Sequence, residues 1–488
     1  MHALAQLRAH IAARPHARAF TCGDAHLTFL ELDTMARRYA AGLRALGVRR
    51  GDRVASLLNT SLDLVIVLLG HYTLGAVHVP INTRYGRVEI EHILRNSGAT
   101  ALVVDQGSHP HTIVQQLPPI DGLRHRVVRQ TEDTPLEPSA ISLETLYATT
   151  PIHAEPTAHD EDPAMFIYTS GTTGRSKGVV LPYRAIVANI DALTRLWRWT
   201  PADRLVLSLP LFHVHGLCIG VHGTLLRGCS AVVQPRFAAR DVIQAIAEGG
   251  TVFMGVPTMY TRLVRTLEED PTQGKVLASA RLFTSGSAAL SASLFKAFER
   301  HTGHRILERY GMSETLLTVS NPYPPELRKP GTIGFPVSSG EVEVVDEQGQ
   351  RCTPHEIGEL VVRGDSLMSG YWNAPEQTAA SFRDGWFLTG DMARYDADGY
   401  IIHMGRRSTD MIKCGGYRIS AREIEECIAQ HPEVEEVAVV GLEDAEWGQR
   451  IAAAIVPVSG IEERSALEWQ TYLRSWLHNR LADYKHPR

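Results

Sequence analysis

A loop rich in serine, threonine and glycine follows a short apolar segment, and it restricts the possible folds more than any other stretch. The loop reads Thr169-Ser-Gly-Thr-Thr-Gly-Arg-Ser-Lys-Gly178 and follows the apolar run 164–168. Glycines let the backbone wrap closely around an anion, N–H groups and hydroxyls donate to its oxygens, and Lys177 adds a positive charge. The segment therefore predicts a strand that leads into a polyphosphate-binding loop, called the phosphate loop below.

The position of the lysine separates this loop from the common Walker A loop. A Walker A motif needs Gly-Lys followed by Ser or Thr, whereas Lys177 lies between Ser176 and Gly178. A plain flexible turn is the alternative, because many loops of this composition bind nothing. The lysine, the preceding strand and the partner motifs further along the chain favour a nucleotide loop of a different class.

Composition limits the class of protein. The chain has 488 residues, 44% of them hydrophobic, and a net charge of -5, so we expect at least two domains and no nucleic-acid partner. Its six cysteines are scattered, which fits reduced thiols in a cytoplasmic protein. The most apolar run, 62–80, is interrupted by Asp63, His71 and His78 and predicts a buried helix and strand, not a membrane span.

Helical and extended patterns alternate along the first part of the chain. Apolar spacing predicts a helix over 28–46 and strands over 52–58, 75–81 and 101–105, and this alternation predicts an α/β fold with helix-covered parallel sheets. A smaller α+β unit follows the charged turn that begins at Gly405. Its predicted elements are a helix over 421–430, strands over 434–441 and 451–458, and a helix over 463–481.

Two carboxylates lie in motifs suited to a nucleotide. Glu314 stands among hydroxyl residues in the octapeptide 308–315, and Mg²⁺ bound to phosphates takes one or two such carboxylates. Asp391 ends the segment Thr389-Gly-Asp391, where it could accept both hydroxyls of a ribose. Each motif alone also fits a solvated turn.

Three other features suggest pocket residues. His213 and His215 are two residues apart, which allows metal binding, but a third ligand at suitable spacing is missing and a pocket-lining role is commoner. The turn Ser285-Gly-Ser-Ala288 follows a predicted strand, at the strand end where open α/β sheets bind ligands. Arg281 begins that strand, a position that most often belongs to the surface.

Taken in order, these motifs resemble the adenylate-forming superfamily of acyl-CoA synthetases, luciferases and peptide-synthetase adenylation domains. The resemblance covers essentially the whole chain and rests on 169–178, 310–315, 389–391, Gly405-Arg406 and the Lys-x-Gly-Gly-Tyr-Arg segment 413–418. It implies ATP, Mg²⁺ and CoA as reaction partners. A carboxylate first attacks the α-phosphate of ATP to give an acyl-adenylate, and a thiol then displaces AMP.

The resemblance also implies two domains and a role for each matching residue. A large N-terminal domain is expected over 1–406 and a mobile C-terminal domain over 407–488, with Ser408 and Thr409 at the hinge. The implied nucleotide contacts are Thr169, Ser170, Gly171, Thr172, Thr173, Gly174 and Lys177 at the phosphates, Gly286, Ser287, Ala288, Arg309, Tyr310 and Gly311 at the adenine, Asp391 and Arg406 at the ribose, and Met312, Ser313, Lys413, Gly415, Gly416 and Tyr417 elsewhere. The implied catalytic residues are Thr169, Lys177, His213 and the magnesium ligand Glu314.

The resemblance also indicates which carboxylic acid is the substrate. A peptide synthetase would have aspartate after Phe212, where this chain has His213, so amino acids are disfavoured. The strings 210–217, 255–260, 281–290 and 308–315 are similar to those of malonyl-CoA synthetases. This similarity implies malonate or methylmalonate as the acid and Arg281 as the partner of its far carboxylate, because a buried arginine would penalise an apolar tail. The other implied substrate contacts are His213, Ser285 and Met312.

The chain departs from the family pattern at its last residues. Members carry a lysine in a Pro-Arg/Lys-x-x-x-Gly-Lys segment, and this chain ends at Tyr484-Lys-His-Pro-Arg488, before that segment. Lys485 belongs to the preceding motif and is not the equivalent residue. The resemblance therefore implies slow adenylation with ATP and retained thioester formation from a supplied acyl-adenylate.

Other functions stay open at this point. The chain could activate another short, medium or aryl acid, and the phosphopantetheine arm of a carrier protein could replace CoA. It could also be a catalytically silent nucleotide-binding protein. The presence of Lys177, Glu314, Asp391 and Arg406 together speaks against that possibility, because a silent protein has no reason to keep all four.

Overall fold

A computed structural model describes residues 3–130, 135–152, 158–169, 175–407, 410–414, 417–444, 447–461, 464–478 and 480–487. It has four β-sheets of nine, eight, five and four strands, with helices packed against them. The predicted α/β class is confirmed. No helix in the described part of the chain combines the length and the apolar composition that a membrane crossing needs.

The elements before the phosphate loop alternate between helix and strand, as predicted. In chain order they are α1 (Ala3–Ala13), β1 (Arg18–Cys22), β2 (Ala25–Thr28), α2 (Phe29–Ala45), β3 (Arg53–Leu57), α3 (Leu62–Leu74), β4 (Val77–Pro80), α4 (Arg87–Ser97), β5 (Ala99–Asp105), α5 (His109–Gln115), β6 (His125–Arg129), β7 (Ala140–Ser142), α6 (Leu143–Tyr147) and β8 (Pro163–Thr169).

The middle of the chain contains the second alternating series and then mostly strands. The elements are β9 (Lys177–Pro182), α7 (Tyr183–Trp197), β10 (Arg204–Leu207), a π-helix (His215–Val221), α8 (His222–Arg227), β11 (Ser230–Val233), α9 (Ala239–Ala247), β12 (Val252–Gly255), α10 (Pro257–Glu269), α11 (Gln273–Leu277), β13 (Leu282–Ser285), α12 (Ala292–Thr302), β14 (Leu307–Met312), β15 (Leu316–Ser320), a 3₁₀ turn (Pro325–Leu327) and β16 (Phe335–Pro336).

The remaining elements form the two smaller sheets and the helices beside them. They are β17 (Gly340–Val345), β18 (Gly358–Gly364), β19 (Gly370–Tyr371), α13 (Pro375–Ala380), β20 (Phe382–Arg383), β21 (Trp386–Tyr395), β22 (Ile401–Arg406), β23 (Met411–Cys414), β24 (Tyr417–Ser420), α14 (Ala421–Ile428), β25 (Val434–Asp444), β26 (Gly448–Pro457), α15 (Ala466–Leu477) and a 3₁₀ turn (Asp483–Lys485).

The nine-stranded sheet carries the cavity described below. Its order is β16-β15-β14-β13-β12-β10-β11-β1-β2, and the strands from β14 to β1 run parallel. Their carboxyl ends therefore lie along one edge, which is where open α/β sheets bind ligands. The strands are short and buried on both faces, as the apolar runs 205–207 and 252–254 require.

The eight-stranded sheet presents the phosphate loop. Strands β3 to β8 form its parallel part, and β9 returns antiparallel to β8 with Tyr168 opposite Gly178 and Thr169 opposite Lys177. The phosphate loop is thus the connection of a β-hairpin. The short strand β19 extends this sheet by pairing Tyr371 with Val179.

The five-stranded sheet ends at Arg406 along the chain, and the four-stranded sheet begins at Met411. In the five-stranded sheet, β22 pairs with β21 so that Asp391 lies opposite Arg406. The four-stranded sheet, with α14 and α15, contains only residues from 411 onward. The domain boundary between 406 and 407 stays a prediction.

Candidate active site

Most of the predicted site residues that the structure describes surround two adjoining cavities at the carboxyl edge of the nine-stranded sheet. Those that line the larger cavity, of about 710 Å³, are Thr169, Lys177, His213, Ser287, Gly311, Met312, Ser313, Glu314 and Arg406. Those that line the smaller cavity, of about 200 Å³, are Ser287, Ala288, Arg309, Tyr310, Gly311, Met312, Asp391 and Arg406. Four residues are common to both lists, so the cavities are neighbours.

Residues at the two ends of the phosphate loop line the larger cavity. Thr169 and Lys177, the last ladder pair of the β8–β9 hairpin, line the larger cavity. The predicted contacts Ser170, Gly171, Thr172, Thr173 and Gly174 lie outside the described residues. The roles of all these residues at the phosphates stay predictions.

Tyr371 connects two residues that the sequence motifs singled out separately. Its hydroxyl donates a hydrogen bond of 2.9 Å to Oε1 of Glu314, and the Nζ atom of Lys177 lies 5.2 Å from the centre of its ring. Tyr371 lines the larger cavity because β19 pairs with β9. Sequence reasoning missed it, since a tyrosine in a glycine-bearing segment carries no chemical signal of its own.

Glu314 fits the predicted role of a magnesium ligand. Its side chain is buried at the cavity wall, and this burial raises the pKa of the carboxyl. A divalent cation would offset that cost by favouring the charged form. Within the described ranges, no group of three or more His, Cys, Asp or Glu side chains could hold a metal, so phosphate oxygens and water would have to supply the other ligands.

Asp391 is held by three neighbours in the smaller cavity. Nε of Arg406 donates to its Oδ1 at 2.8 Å, Tyr310 donates its hydroxyl to Oδ2, and Nε2 of His403 lies 3.7 Å away. Burial opposes ionisation, but the neighbouring imidazole of His403 and the charge of Arg406 together lower the pKa of Asp391. The carboxylate is therefore ionised and oriented, as a ribose ligand must be.

Arg309 is buried, and it has no acidic partner among the described residues. Its Nε and Nη2 atoms are inaccessible and make no hydrogen bond to any described residue, and burial lowers its pKa to about 10. The guanidinium lies against Gly286, since a Cβ added there would come within 2.5 Å of Cζ and Nη1. Burial lowers the pKa of His215, which lines the larger cavity, and the charge of Arg309 lowers it further. A cation without an acidic partner among the described residues therefore lines the smaller cavity.

Glu308 is a second buried ionisable group that the sequence did not single out. Leu290 donates its backbone N–H to Oε1 at 3.0 Å, while Oε2 is buried with no partner among the described residues. Burial raises the pKa of this carboxyl to about 7. Near neutral pH the side chain can thus carry a proton, and it lines the smaller cavity as a candidate hydrogen-bond donor.

The two histidines of the 210–217 segment line the larger cavity, and no third His, Cys, Asp or Glu in the described part of the chain joins them in a metal-binding group. His215 begins the π-helix, and its Nδ1 lies 3.5 Å from Oγ of Ser287. Burial lowers the pKa of both His213 and His215, which keeps them neutral. π-Helices are rare and often occur at functional sites.

The predicted role of Arg281 is wrong. It precedes β13 and so lies at the amino end of that strand, whereas the cavities lie at the carboxyl end. Its Nε and Nη2 atoms donate hydrogen bonds of 2.6 and 2.8 Å to the carboxylate of Asp203. Its Nη1 atom donates one of 2.9 Å to the carbonyl oxygen of Trp197. Arg281 lines neither cavity. Ser285, another predicted substrate contact, is fully buried beneath the turn and lines neither cavity either.

The predicted C-terminal contacts are only partly described. Lys413 lines a third cavity, of about 840 Å³, together with Arg406 and Arg407. Ser408, Thr409, Gly415, Gly416 and the side chain of Tyr417 lie outside the described residues. Lys485 donates to Glu423 at 2.7 Å and is thus engaged in the four-stranded-sheet unit.

Comparison with known proteins fits this arrangement. Residues 7–372 match the family described as AMP-binding enzyme, and residues 423–488 match the AMP-binding enzyme C-terminal domain. The chain belongs to the AMP-binding enzyme family. The predicted superfamily is thereby confirmed, together with its enzyme class, an AMP-forming acyl-CoA synthetase that uses ATP, Mg²⁺ and CoA.

Individual members of the family are similar over nearly the whole chain. A probable CoA ligase, CCL8, of Humulus lupulus is 37% identical and is matched over 91% of this chain and 77% of its own length. A malonate–CoA ligase of Arabidopsis thaliana is 34% identical over 90% of this chain and 74% of its own length. The crystal structure of ATP-bound MatB from Rhodopseudomonas palustris superposes with a TM-score of 0.88 at 32% identity, covering 100% of this chain and 94% of that one.

Proposed function

We propose that this family member ligates malonate, or methylmalonate, to CoA. Relatives named malonate–CoA ligase support the choice of acid, and so does one observation at the site. That observation is the buried guanidinium of Arg309, which has no acidic partner among the described residues and lies beside the cavity. A dicarboxylic acid would bring the missing negative charge.

The energetics of burial support Arg309 as the residue that selects the acid. A charge taken out of water without a partner is costly, and a carboxylate that accepts hydrogen bonds from a guanidinium recovers that cost. A monocarboxylic acid would leave Arg309 unpaired. Arg309 is therefore proposed for the role that the resemblance gave to Arg281, in place of the adenine contact that the resemblance gave to Arg309.

The remaining residues fit the two half-reactions. An oxygen of the near carboxylate attacks the α-phosphorus of ATP, the bond to the bridging oxygen breaks, and pyrophosphate leaves. Lys177 is suited to hold phosphate oxygens, and Asp391 with Arg406 to hold the ribose. Mg²⁺ bound by Glu314 would neutralise phosphate charge. In the second step the thiol sulfur attacks the acyl carbon and AMP leaves.

Acid-dependent pyrophosphate release tests the proposal. Malonate should give the largest kcat/KM when compared with methylmalonate, butyrate and benzoate. Arg309→Met should lower kcat/KM for malonate at least about 30-fold, the equivalent of about 2 kcal/mol, without lowering that for butyrate. Arg265→Met, at an exposed arginine of α10, is the matched control. A wild-type enzyme that prefers butyrate or benzoate refutes the malonate assignment.

A ligase for aryl acids is the second candidate. The larger cavity also presents the apolar side chains of Leu209, Val214, Val256 and Met259, which malonate does not need. An anthranilate CoA ligase is among the similar structures, with a TM-score of 0.88 at 30% identity. A high kcat/KM with benzoate that survives Arg309→Met favours this candidate. A carrier protein in place of CoA, and a cytoplasmic location, stay predictions.

A further inference from the structure

Helix α4 packs beside the phosphate loop and contacts the chain just before its lysine. Nε2 of His92, near the middle of the helix, lies 2.8 Å from the carbonyl oxygen of Ser176. A carbonyl oxygen can only accept, so this nitrogen carries the hydrogen and donates it. The side chain is half-buried, and its partner is the residue that directly precedes Lys177.

The contact lies next to the last described pair of the hairpin. The last β8–β9 pair is Thr169 with Lys177, so Ser176 is the first residue beyond the ladder. Among the described residues, His92 supplies the hydrogen-bond donor to the carbonyl of Ser176. Because the Ser176 carbonyl and the Lys177 N–H belong to one planar peptide, holding the first also orients the second.

A second residue of α4 holds the other strand of the hairpin. Asn96, one turn after His92, accepts the hydroxyl of Tyr168 at 2.7 Å through Oδ1. The backbone carbonyl of Asn96 accepts Nε1 of Trp372 at 3.0 Å, and the N–H of Trp372 donates to Gly178 at 2.7 Å. The ring of His92 also meets the ring of Tyr168 edge to face. One helix face thus contacts both strands.

We propose that His92 is a positioning residue for the nucleotide triphosphate: it fixes the Ser176–Lys177 peptide and so directs Lys177 toward the phosphates. The proposal rests on the family's use of ATP and not on the identity of the acid. Asn96 anchors the strand before the loop, and His92 controls the strand after it, from which the lysine projects.

The predicted consequence separates ATP from AMP. Lys177 is expected at the β- and γ-phosphates, which AMP lacks, while Asp391 and Arg406 serve both nucleotides. Removal of the His92 donor should therefore weaken ATP binding and leave AMP binding unchanged. A residue that only stabilises the fold would weaken both, because both cavities depend on the same sheets.

Calorimetric titration of the full chain with Mg·ATP and with AMP tests this. His92→Ala should raise the Kd for Mg·ATP about five- to tenfold, the usual size of one hydrogen bond, and change the Kd for AMP less than about twofold. His92→Gln keeps an N–H donor near the Nε2 position and should restore most of the ATP affinity. His111→Ala, on the neighbouring helix α5, is the matched control and should change neither affinity.

Three results would overturn the proposal. They are equal losses of ATP and AMP affinity in His92→Ala, unchanged ATP affinity in that variant, and failure of His92→Gln to recover ATP binding while its thermal unfolding matches the wild type. Since no acid is present, none of these results bears on the malonate assignment, and failure of that assignment leaves this test intact.

Discussion

Buried charged side chains are paired at one end of the nine-stranded sheet and have unpaired atoms at the other. At the amino end, Arg281 and Asp203 form a two-point ion pair, and Asp203 also accepts from Thr251 at 2.8 Å and from the backbone of Thr200 at 2.8 Å. At the carboxyl end, Glu308 and Arg309 are buried with unpaired atoms. One strand of four residues separates the ends, which is about 13 Å.

Strand geometry explains why the two groups at the carboxyl end do not neutralise each other. Glu308 and Arg309 are adjacent on β14, and successive side chains of a strand point to opposite faces of the sheet. The charges at this end therefore stay available to a ligand. The ion pair at the amino end therefore stabilises the fold. At the carboxyl end, buried groups without partners lower the stability but stay available to bind a ligand.

The largest expected effect is a loss of unfolding free energy when the ion pair at the amino end is removed. Arg281→Met leaves Asp203 buried and without its cation, and removal of one partner of a buried pair costs about 3–5 kcal/mol of unfolding free energy. Arg309→Met removes an unpaired charge and should leave the unfolding free energy unchanged or higher. Urea unfolding of both variants measures the difference. Equal losses in the two variants would contradict the comparison.

The next effect concerns pH at the carboxyl end. Burial raises the pKa of Glu308 to about 7 from 4.5, so the folded state holds a proton that the unfolded state has lost between these pH values. The unfolding free energy should therefore fall as the pH rises through this window, by up to about 3 kcal/mol at 1.36 kcal/mol per pH unit. Glu308→Gln should remove this fall.

Urea unfolding of wild type and Glu308→Gln at pH 5 and pH 8 measures the contribution of Glu308. Glu268→Gln, at an exposed glutamate of α10, controls for the loss of one carboxylate. If the unfolding free energies of wild type and Glu308→Gln change equally between the two pH values, the Glu308 carboxyl is not the buried neutral group that the geometry indicates.

The smallest expected effect sharpens the account of the carboxyl end. Tyr371→Phe removes the hydrogen bond to Glu314 but keeps the ring beside Lys177. We expect the rate of acyl-adenylate formation to fall about tenfold, since one hydrogen bond to a charged carboxylate contributes at least about 1.5 kcal/mol. Thioester formation from a supplied acyl-adenylate should keep its wild-type rate. Rapid-quench measurement of each half-reaction tests this, and equal slowing of both would assign Tyr371 a general structural role.

Local sequence signals predicted the elements that they directly encode. The helix expected over 28–46 is α2, Phe29–Ala45, because Thr28 and Glu31 form a capping box that fixes its start. Ser420 likewise accepts from the N–H of Glu423 and begins α14, while the side chain of Glu423 accepts from Lys485. Neighbours a few residues apart decide such features, so sequence suffices.

Contacts between distant segments could not be predicted in the same way. Asp203 lies 78 residues before Arg281, and Glu314 lies 57 residues before Tyr371. The error at Arg281 arose from a motif match that ignored which end of the strand the residue occupies. The burial of Glu308 and Arg309 depends on helices and turns from elsewhere in the chain, so their shifted pKa values have no local signal.

The pairing of Asp391 with Arg406 has a thermodynamic consequence. Arg406 is the last residue of β22, and its backbone N–H donates to Asp410, which immediately precedes the four-stranded sheet. One residue is thus bonded both to the expected ribose site and to the chain that leads into the predicted mobile domain. If that domain changes orientation through this link, nucleotide affinity and domain orientation are reciprocally coupled: a nucleotide that favours one orientation tenfold must itself bind that orientation tenfold more tightly.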